Sequence, residues 1–257
     1  MLEEILMVIK GLIFDINGTL TDIHTNEWHD DIYRILSNLL SYQGIALGPN
    51  AIKNSYFQIM KEQRAASGER YPEFDAVGIF REIITRHASD FTCRLMPEKL
   101  EQLPLFLAET HRAASRYRLQ LYNGVEETIK QLIVKYHLAI ISDGQSAYAV
   151  PELSAIGLFG FFDPVIISGD FGFRKPDPRL FDSALSIMQM KPSEVLFVGN
   201  DTYRDIYGAQ KFGIKTVFFR SNQGQQEKEG VAPDYIIYNF PELLNAVRFF
   251  EGAEPTA

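Results

Sequence analysis

Four short segments carry polar side chains and backbone N–H groups that together could bind a phosphoryl group and a divalent cation. These residues are Asp15 and Asn17 in IFDINGTLTD, Ser142, Asp143 and Gly144 in ISDG, Lys175 in FRKPDP, and Asp201 and Asp205 in NDTYRD. Carboxylates bind a hard cation such as Mg²⁺, which also contacts phosphate oxygens. A lysine and a hydroxyl group can neutralise and hold the remaining oxygens of a dianion. The residue types therefore favour chemistry on a phosphorylated substrate.

Each segment also has a purely structural explanation. Asp15 could lie in a turn after a strand, Ser142 could cap a helix, and Lys175 could be a solvated surface side chain. Asp201 and Asp205 could belong to the capped first turn of a helix. The positions of these residues relative to the predicted strands separate the two explanations.

The apolar pattern alternates between short strands and helices. Six short apolar runs are typical of buried strands, at residues 8–14, 138–141, 165–167, 195–198, 216–219 and 235–238. Helical patterns lie between them at residues 125–136, 178–190 and 203–212. This order predicts an α/β fold with a Rossmann-like, doubly wound parallel sheet. Ligands bind at the carboxyl ends of the strands in such sheets, and the candidate residues follow the predicted strands there.

A long helical stretch interrupts the alternation after the first strand. Apolar residues recur at helical spacing from Trp28 to Leu40 and from Val77 to Ile84. Gly-Pro and Met-Pro pairs separate these patterns from their neighbours. We therefore predict a helical cap domain at residues 25–117, inserted into a core domain formed by residues 1–24 and 118–257.

The composition excludes several classes of protein. A chain of 257 residues with 46% hydrophobic and 23% charged residues has the balance of a globular protein. Its net charge of -8, without a long basic run, argues against nucleic-acid binding. The single cysteine, Cys93, can form no internal disulfide, which fits a cytoplasmic protein. Glu3, Glu4 and Lys10 interrupt the apolar N-terminus, so we expect neither a signal peptide nor a membrane span.

The ordered motifs resemble those of the haloacid dehalogenase superfamily. FDINGTLTD is similar to its first motif, in which a nucleophilic aspartate is followed two residues later by a second aspartate. LAIISDG resembles the second motif, FGFRKPDPRLF the third, and LFVGNDTYRDIYGAQKFGIKT the acidic fourth. The resemblance covers nearly all of the chain outside the predicted cap. It implies a phosphatase-like hydrolase with a helical cap inserted after the first motif.

The resemblance also implies a role for each candidate residue. Asp15 is expected to be the nucleophile, and Asn17 and Lys175 to take part in catalysis with it. The expected phosphate-binding residues are Ser142, Asp143, Gly144 and Lys175, and the expected Mg²⁺ ligands are Asp15, the backbone carbonyl of Asn17, Asp201 and Asp205. The spacing to Asp205 also allows Asn200 as the first acidic position of the fourth motif. Asp201 is preferred because it retains a carboxylate.

Asn17 departs from the family pattern at the position of the second aspartate. In phosphatases of the family, that aspartate protonates the leaving group and then deprotonates the attacking water. An amide can do neither, and general acid–base assistance is worth about 10²- to 10⁴-fold in rate. We therefore expect a protein that binds Mg²⁺ and a phosphorylated ligand but turns over slowly.

Three functions fit these residues. The first is a Mg²⁺-dependent phosphatase that forms an aspartyl-phosphate on Asp15 and is impaired at Asn17. The second is a metal-independent 2-haloacid dehalogenase, which needs no second aspartate. The acidic segment at residues 200–205 argues against it, and Arg34, the basic residue considered for a substrate carboxylate, falls within the first cap helix. The third is a non-catalytic protein that binds a phosphorylated ligand.

The predicted cap would close over the site and carry the substrate specificity. Its candidate polar residues are Lys61, Arg64, Arg70, His87, His111 and Arg112. Basic residues on helices mostly face solvent, so none of these is assigned to the site. A cap of this size suggests a small phosphorylated metabolite, such as a sugar phosphate, phosphoglycolate or a nucleotide. We expect a monomer or homodimer with no nucleic-acid or membrane partner.

Overall fold

The computed structural model describes residues 8–252 of the chain. From the sequence, we expect the N-terminus to be neither a signal peptide nor a membrane span. This prediction rests mainly on residues 1–7, which lie outside the described residues. Within residues 8–252, no helix combines the length and the apolarity needed to cross a membrane.

The described part of the chain contains eight strands in two sheets. They are β1 (Gly11–Phe14), β2 (Thr21–Thr25), β3 (Arg116–Leu121), β4 (His137–Ser142), β5 (Val165–Ile167), β6 (Val195–Gly199), β7 (Lys215–Phe219) and β8 (Tyr235–Ile237). Every predicted apolar run forms a strand. The first strand begins at Gly11 rather than at residue 8, because Val8 is 72% exposed and lies outside the buried sheet.

The first four α-helices follow one another between β2 and β3, and each later α-helix in the described part of the chain follows a strand. The α-helices are α1 (Asp30–Ser41), α2 (Pro49–Ala66), α3 (Ala76–His87), α4 (Pro97–Ser115), α5 (Val125–Leu132), α6 (Ser146–Ala155), α7 (Pro178–Met188), α8 (Gly208–Lys211) and α9 (Leu243–Phe250). The helix predicted at residues 203–212 is in fact a π-helical segment, Thr202–Tyr207, followed by the single turn of α8.

The six-stranded sheet is parallel throughout and has the order β5-β4-β1-β6-β7-β8. The central strand β1 pairs with both β4 and β6, so that Phe14 lies opposite Ile140 and Val198. The chain fills one side of β1 first and then crosses to the other side at β6, which makes β1 the switch point of the sheet. The predicted Rossmann-like α/β fold is confirmed, and it brings the carboxyl ends of β1, β4 and β6 together.

Apolar side chains cover both faces of this sheet. On β1, Leu12 and Phe14 belong to one buried cluster and Ile13 to the other, as the two-residue period of a strand requires. Helices α5 and α9 pack on the first face, and α7 packs on the second. Because both faces are covered, the strands are mainly apolar, with polar residues such as His137, Ser142 and Lys215 at their ends.

Helices α1 to α4 form a further apolar cluster that includes Tyr33, Leu36, Phe80 and Leu107. The antiparallel pair of β2 and β3 joins these helices to the six-stranded sheet. The predicted domain limits, at residues 25 and 117, fall within this strand pair. We propose that residues 25–117 form the cap and that the rest of the chain forms the core, and these names are used below.

Hydrogen bonds hold the cap against the carboxyl edge of the sheet. The Gln145 side chain accepts from Ala76 N–H over 2.9 Å and donates to the Phe74 carbonyl over 2.6 Å. The Ser168 hydroxyl donates to Glu73 over 2.9 Å. Gln145 precedes α6 and Ser168 follows β5, so both core contacts arise beside the candidate site.

Candidate active site

The Asp15 carboxylate lies at the carboxyl end of β1, and polar side chains surround it. Lys175 Nζ donates to Asp15 Oδ1 over 2.7 Å, and Ser142 Oγ donates to the same oxygen over 3.1 Å. The Thr19 hydroxyl donates to Oδ2 over 3.3 Å. Asp15 itself is only 6% exposed. The fold therefore brings Asp15, Ser142 and Lys175 from distant parts of the sequence into direct contact.

Lys175 is held between two carboxylates. Its ammonium group donates to Asp205 Oδ1 over 2.6 Å and to the Ile141 carbonyl over 3.1 Å. Burial opposes the charge of Lys175, but Asp15 and Asp205 together raise its pKa above the usual value. Burial raises the pKa of Asp205 to about 6, against the lowering effect of Lys175. Lys175 thus supplies a fixed positive charge beside Asp15.

Asp205 is engaged as the partner of Lys175. Its second oxygen, Oδ2, accepts from the backbone N–H groups of Asn200 over 3.0 Å and Asp201 over 2.9 Å. Gly199 allows this close packing, because a Cβ at that position would lie 2.5 Å from Asp205 Cβ. Asp205 therefore positions the lysine, and its role as a Mg²⁺ ligand stays a prediction.

Asp143 and Gly144 shape the backbone around the site. Asp143 Oδ1 accepts from the Lys175 backbone N–H over 2.9 Å, and its other oxygen lies 3.6 Å from the Arg204 guanidinium. Burial raises the pKa of Asp143, although Lys175 and Arg204 lower it. The Gly144 N–H donates to Ser168 Oγ over 2.9 Å. Of the predicted phosphate-binding residues, Ser142 and Lys175 carry the polar atoms that directly contact Asp15.

Asn200, rather than Asp201, faces the Asp15 loop. Asn200 Oδ1 accepts over 3.1 Å from the Thr19 hydroxyl, the same group that contacts Asp15. Gly18 permits this approach because it has a φ of 86°, and a Cβ there would lie 2.1 Å from Asn200 Nδ2. Asn200 therefore adds an amide oxygen beside the Asp15 carboxylate.

The Asp201 carboxylate is turned toward the π-helical segment that follows it. Oδ1 accepts from the backbone N–H groups of Tyr203 and Arg204, and Oδ2 accepts from Arg204 Nε and from Gln225 N–H. Although burial opposes ionisation, these bonds hold the pKa of Asp201 below its usual value. We therefore place Asn200, and not the Asp201 preferred from the sequence, among the candidate oxygen donors.

Asn17 lies two residues after Asp15, in the segment that follows β1. The Thr21 hydroxyl donates to Asn17 Oδ1 over 3.1 Å, and Thr21 is fully buried. The remaining polar atom of the side chain, Nδ2, is an N–H donor that cannot transfer a proton as a carboxylic acid does. Asn17 also lines a cavity between cap and core.

The oxygen atoms around Thr19 suit a hard cation. Among residues 8–252, no group of three or more His, Cys, Asp or Glu side chains is arranged to hold a metal. The Asp15 carboxylate and the Asn200 amide oxygen both accept from the Thr19 hydroxyl, and the family resemblance adds the backbone carbonyl of Asn17. Mg²⁺ commonly binds one or two carboxylates and completes its shell with waters and substrate phosphate. This oxygen set therefore fits Mg²⁺, with a single charged protein ligand.

A cavity of about 330 Å³ lies between the cap and the site. On the core side it reaches Asn17 and Ser142. Much of the opposite wall is aromatic, and its rings belong to Trp28, Tyr56, Phe57, Phe74 and Tyr148. The volume is near the lower end of the range typical of small-molecule sites.

Two of the six candidate polar residues of the cap, His111 and Arg112, line this cavity. Arg112 donates through Nε and Nη2 to Glu152 over 2.7 and 3.1 Å, and its third nitrogen lies 3.5 Å from Glu27. The Arg112 charge is therefore compensated inside the protein. Helical spacing alone gave no signal that separated these two residues from the other basic side chains of the cap.

Acidification should destabilise the protein through His111. Burial lowers the pKa of His111 from 6.5 to about 4, so the unfolded chain takes up this proton at a higher pH than the native one. The stability that His111 contributes is fully present above pH 6.5 and is lost as the pH falls toward 4. We expect a loss of roughly 2 kcal/mol between pH 7 and pH 5.

Urea unfolding of the protein and of a His111→Gln variant over this pH range would measure the effect. The variant should lose the corresponding part of the pH dependence, while His137→Gln, at an exposed position, should keep it. Equal pH dependence in the protein and in His111→Gln would contradict the assignment.

Comparisons with known proteins agree with this geometry. A family model described as haloacid dehalogenase-like hydrolase matches residues 12–219. A glyceraldehyde 3-phosphate phosphatase from Pyrococcus furiosus is 27% identical over 254 residues, which is 96% of both chains. Pyrophosphatase PpaX from Halalkalibacterium halodurans is 28% identical over 243 residues, 94% of this chain and 98% of the relative. A 2-haloacid dehalogenase from Pseudomonas syringae pv. Tomato DC3000 shares the fold, with a TM-score of 0.67, 19% identity and coverage of 94% and 99%.

Proposed function

The chain belongs to the haloacid dehalogenase-like hydrolase family, and we propose that it is a Mg²⁺-dependent phosphatase of a small phosphorylated molecule. The observation that carries this proposal is the contact of Lys175 and Ser142 with the Asp15 carboxylate at the switch point of the sheet. The named phosphatase relatives, which match almost the full chain, support the same reaction class.

Asp15 is the proposed nucleophile. Lys175 and Ser142 hold Oδ1 of its carboxylate, which fixes the orientation of the group and leaves Oδ2 with one long hydrogen bond from Thr19. Attack on phosphorus would give an aspartyl-phosphate, which divides one difficult step into two. Lys175 and Ser142 also lie where they can hold the transferred phosphoryl group and neutralise its charge.

Three oxygen donors would hold the proposed Mg²⁺: the Asp15 carboxylate, the Asn17 backbone carbonyl and the Asn200 amide. When bound, the ion would neutralise phosphate charge and orient the phosphoryl group. With one charged ligand, the protein depends on the phosphate of the substrate to complete the binding site. We therefore expect Mg²⁺ to bind more tightly in the presence of phosphorylated substrate.

The charges of the cavity favour a phosphatase over a 2-haloacid dehalogenase. A haloacid carries a carboxylate that needs a cation near the nucleophile. Among the described residues that line the cavity, Arg112 has the permanently charged basic side chain. Glu152 and Glu27 already pair with it. Arg34 lies on α1, where its exposed side chain pairs with Asp31.

A hydrolysis screen tests the proposal. Phosphate release from a panel of phosphomonoesters should require Mg²⁺, stop with excess chelator and return when Mg²⁺ is restored. No halide should be released from 2-chloropropionate. Metal-independent halide release would support the dehalogenase instead, and tight binding of tungstate, a phosphate analogue, without turnover by the protein or by Asn17→Asp would support a non-catalytic binding protein.

A further inference from the structure

The cap cavity and Asn17 together point to the kind of phosphate ester that this site hydrolyses. Resting on the proposed phosphatase function, we propose that the substrate is an aryl phosphate, in which the phosphorylated oxygen is a phenolic hydroxyl. Two separate observations carry this inference: the aromatic wall of the cavity, and a hydrogen-bond donor without a transferable proton beside the leaving group.

The wall of the cavity presents flat apolar surfaces. Trp28 and Phe57 stack on each other with centroids 3.8 Å apart and planes within 8°. Tyr56, Phe74 and Tyr148 extend this aromatic surface. Aromatic side chains bind another ring favourably in stacked or edge-to-face arrangements. A polyhydroxylated sugar would need many hydrogen-bonding partners in the same space, and these rings offer few.

The polar groups of the cavity do not favour an anionic leaving group. Arg112 is compensated by Glu152 and Glu27, and burial keeps His111 neutral near pH 7. A carboxylate or a second phosphate would therefore lie near the Glu27 and Glu152 carboxylates without a free cation among the described lining residues. A neutral ring carries no such cost.

Two buried polar atoms in the cavity wall lack a well-formed hydrogen bond, the Tyr148 hydroxyl and Asp143 Oδ2. Tyr148 is 9% exposed, and its hydroxyl interacts with Tyr56 without a hydrogen bond of good geometry in the described part of the protein. Buried hydroxyl groups are normally paired, so an unpaired one in a cavity wall indicates a partner on the bound molecule. Tyr148 thus combines a ring face with a donor for a neutral polar substituent.

Asn17 restricts the leaving group in a second way. Its Nδ2 can donate a hydrogen bond to the departing oxygen but cannot protonate it. A phenol loses its proton near pH 10, whereas a water-like hydroxyl requires a pH of about 15.7. An aryl oxide therefore leaves without an acid, while an alkoxide requires one.

The proposed reaction balances without a general acid. An Asp15 oxygen forms a bond to phosphorus as the P–O bond to the ring breaks, and the aryl oxide leaves with the electron pair. Water then attacks the phosphorus of the aspartyl-phosphate and the Asp15 carboxylate departs. The proton lost by the water remains on the phosphate product. Because Asn17 cannot act as a base, this second step should be slow.

Four substrates distinguish the effect of the aromatic ring on kcat/KM from the effect of the leaving group. Phenyl phosphate has both a ring and a phenolic oxygen, benzyl phosphate has only the ring, acetyl phosphate has only a good leaving group, and glycerol 1-phosphate has neither. With the full chain and Mg²⁺, we expect kcat/KM for phenyl phosphate to exceed that for benzyl and glycerol phosphates by about 10²-fold or more. Acetyl phosphate, whose carboxylate leaving group also needs no acid, serves as the reference without a ring.

Variants test the part of the wall that binds the ring. Phe57→Ala should lower the ratio of kcat/KM for phenyl phosphate to that for acetyl phosphate by about tenfold. Tyr42→Ala removes an exposed cap aromatic outside the cavity and should leave the ratio unchanged.

The outcomes distinguish the substrate class from the proposed function. Equal kcat/KM values for phenyl, benzyl and glycerol phosphates would overturn the aryl preference while the phosphatase proposal stands. An unchanged ratio of kcat/KM for phenyl phosphate to that for acetyl phosphate in Phe57→Ala would overturn the role of the aromatic wall. Hydrolysis of none of the four esters, by the protein or by Asn17→Asp, would overturn the phosphatase proposal itself.

Discussion

Replacing Asn17 by aspartate should raise kcat for an alkyl phosphate such as glycerol 1-phosphate by about 10²- to 10⁴-fold. The reason is that a carboxylic acid at this position could protonate the leaving oxygen and then deprotonate water, whereas Asn17 can only donate a hydrogen bond. Asn17 lines the cavity beside Ser142, so the new acid would face the substrate. Steady-state kinetics with saturating Mg²⁺ measure the change.

The effect should depend on the leaving group. Phenyl phosphate needs little protonation, so Asn17→Asp should raise its rate of phosphoryl transfer less than it raises that of glycerol 1-phosphate. Asn38→Asp makes the same charge change at an exposed position on α1 and should leave both rates unaltered. No increase for any alkyl phosphate in Asn17→Asp would contradict the assignment of this position to the leaving group.

Replacing Asp15 by asparagine should abolish activity, with a fall in kcat of about 10³-fold or more. The amide cannot form the aspartyl-phosphate. The change should leave the fold intact because Asp205 still pairs with Lys175 over 2.6 Å. Initial rates with phenyl phosphate measure the loss, and thermal unfolding verifies the fold.

The same variant also tests the covalent step. Because Asn17 should slow hydrolysis of the intermediate, acid-quenched protein should carry one phosphoryl group on Asp15 after mixing with phenyl phosphate and Mg²⁺. Mass spectrometry should find this adduct in the protein and in the matched control Asp31→Asn, but not in Asp15→Asn. A normal rate in Asp15→Asn would show that a different residue attacks phosphorus.

Most of the fold could be predicted from local pattern. Buried parallel strands are short apolar runs and their connecting helices have a different period, so the alternation is visible without long-range information. The errors lie at element ends. Val8 is apolar yet exposed, and the helix predicted to continue to residue 136 ends at Leu132, before the 85% exposed Val134. Such limits depend on which residues the neighbouring layers cover.

The sequence alone could not predict which cap residues line the cavity. Lys61 and Arg112 look alike as basic residues at helical spacing, and both lie on cap helices. Arg112 is distinguished by Glu152, forty residues further along the chain, which pairs with it inside the cavity. Such a pair depends on how two helices pack, and neither helix alone specifies it.

The sequence by itself determined the α/β fold and which segments meet at the active site, because strand periodicity sets the sheet and parallel strands end at a common edge. It also identified Asn17 at the position where the family pattern has an aspartate, since that substitution is visible in a motif of fixed spacing. Only the tertiary structure bears on the choice between Asn200 and Asp201 as the proposed oxygen donor. Adjacent residues at a strand end point in different directions. The N–H groups of the following helical turn donate to the Asp201 carboxylate, whereas the Thr19 hydroxyl donates to Asn200.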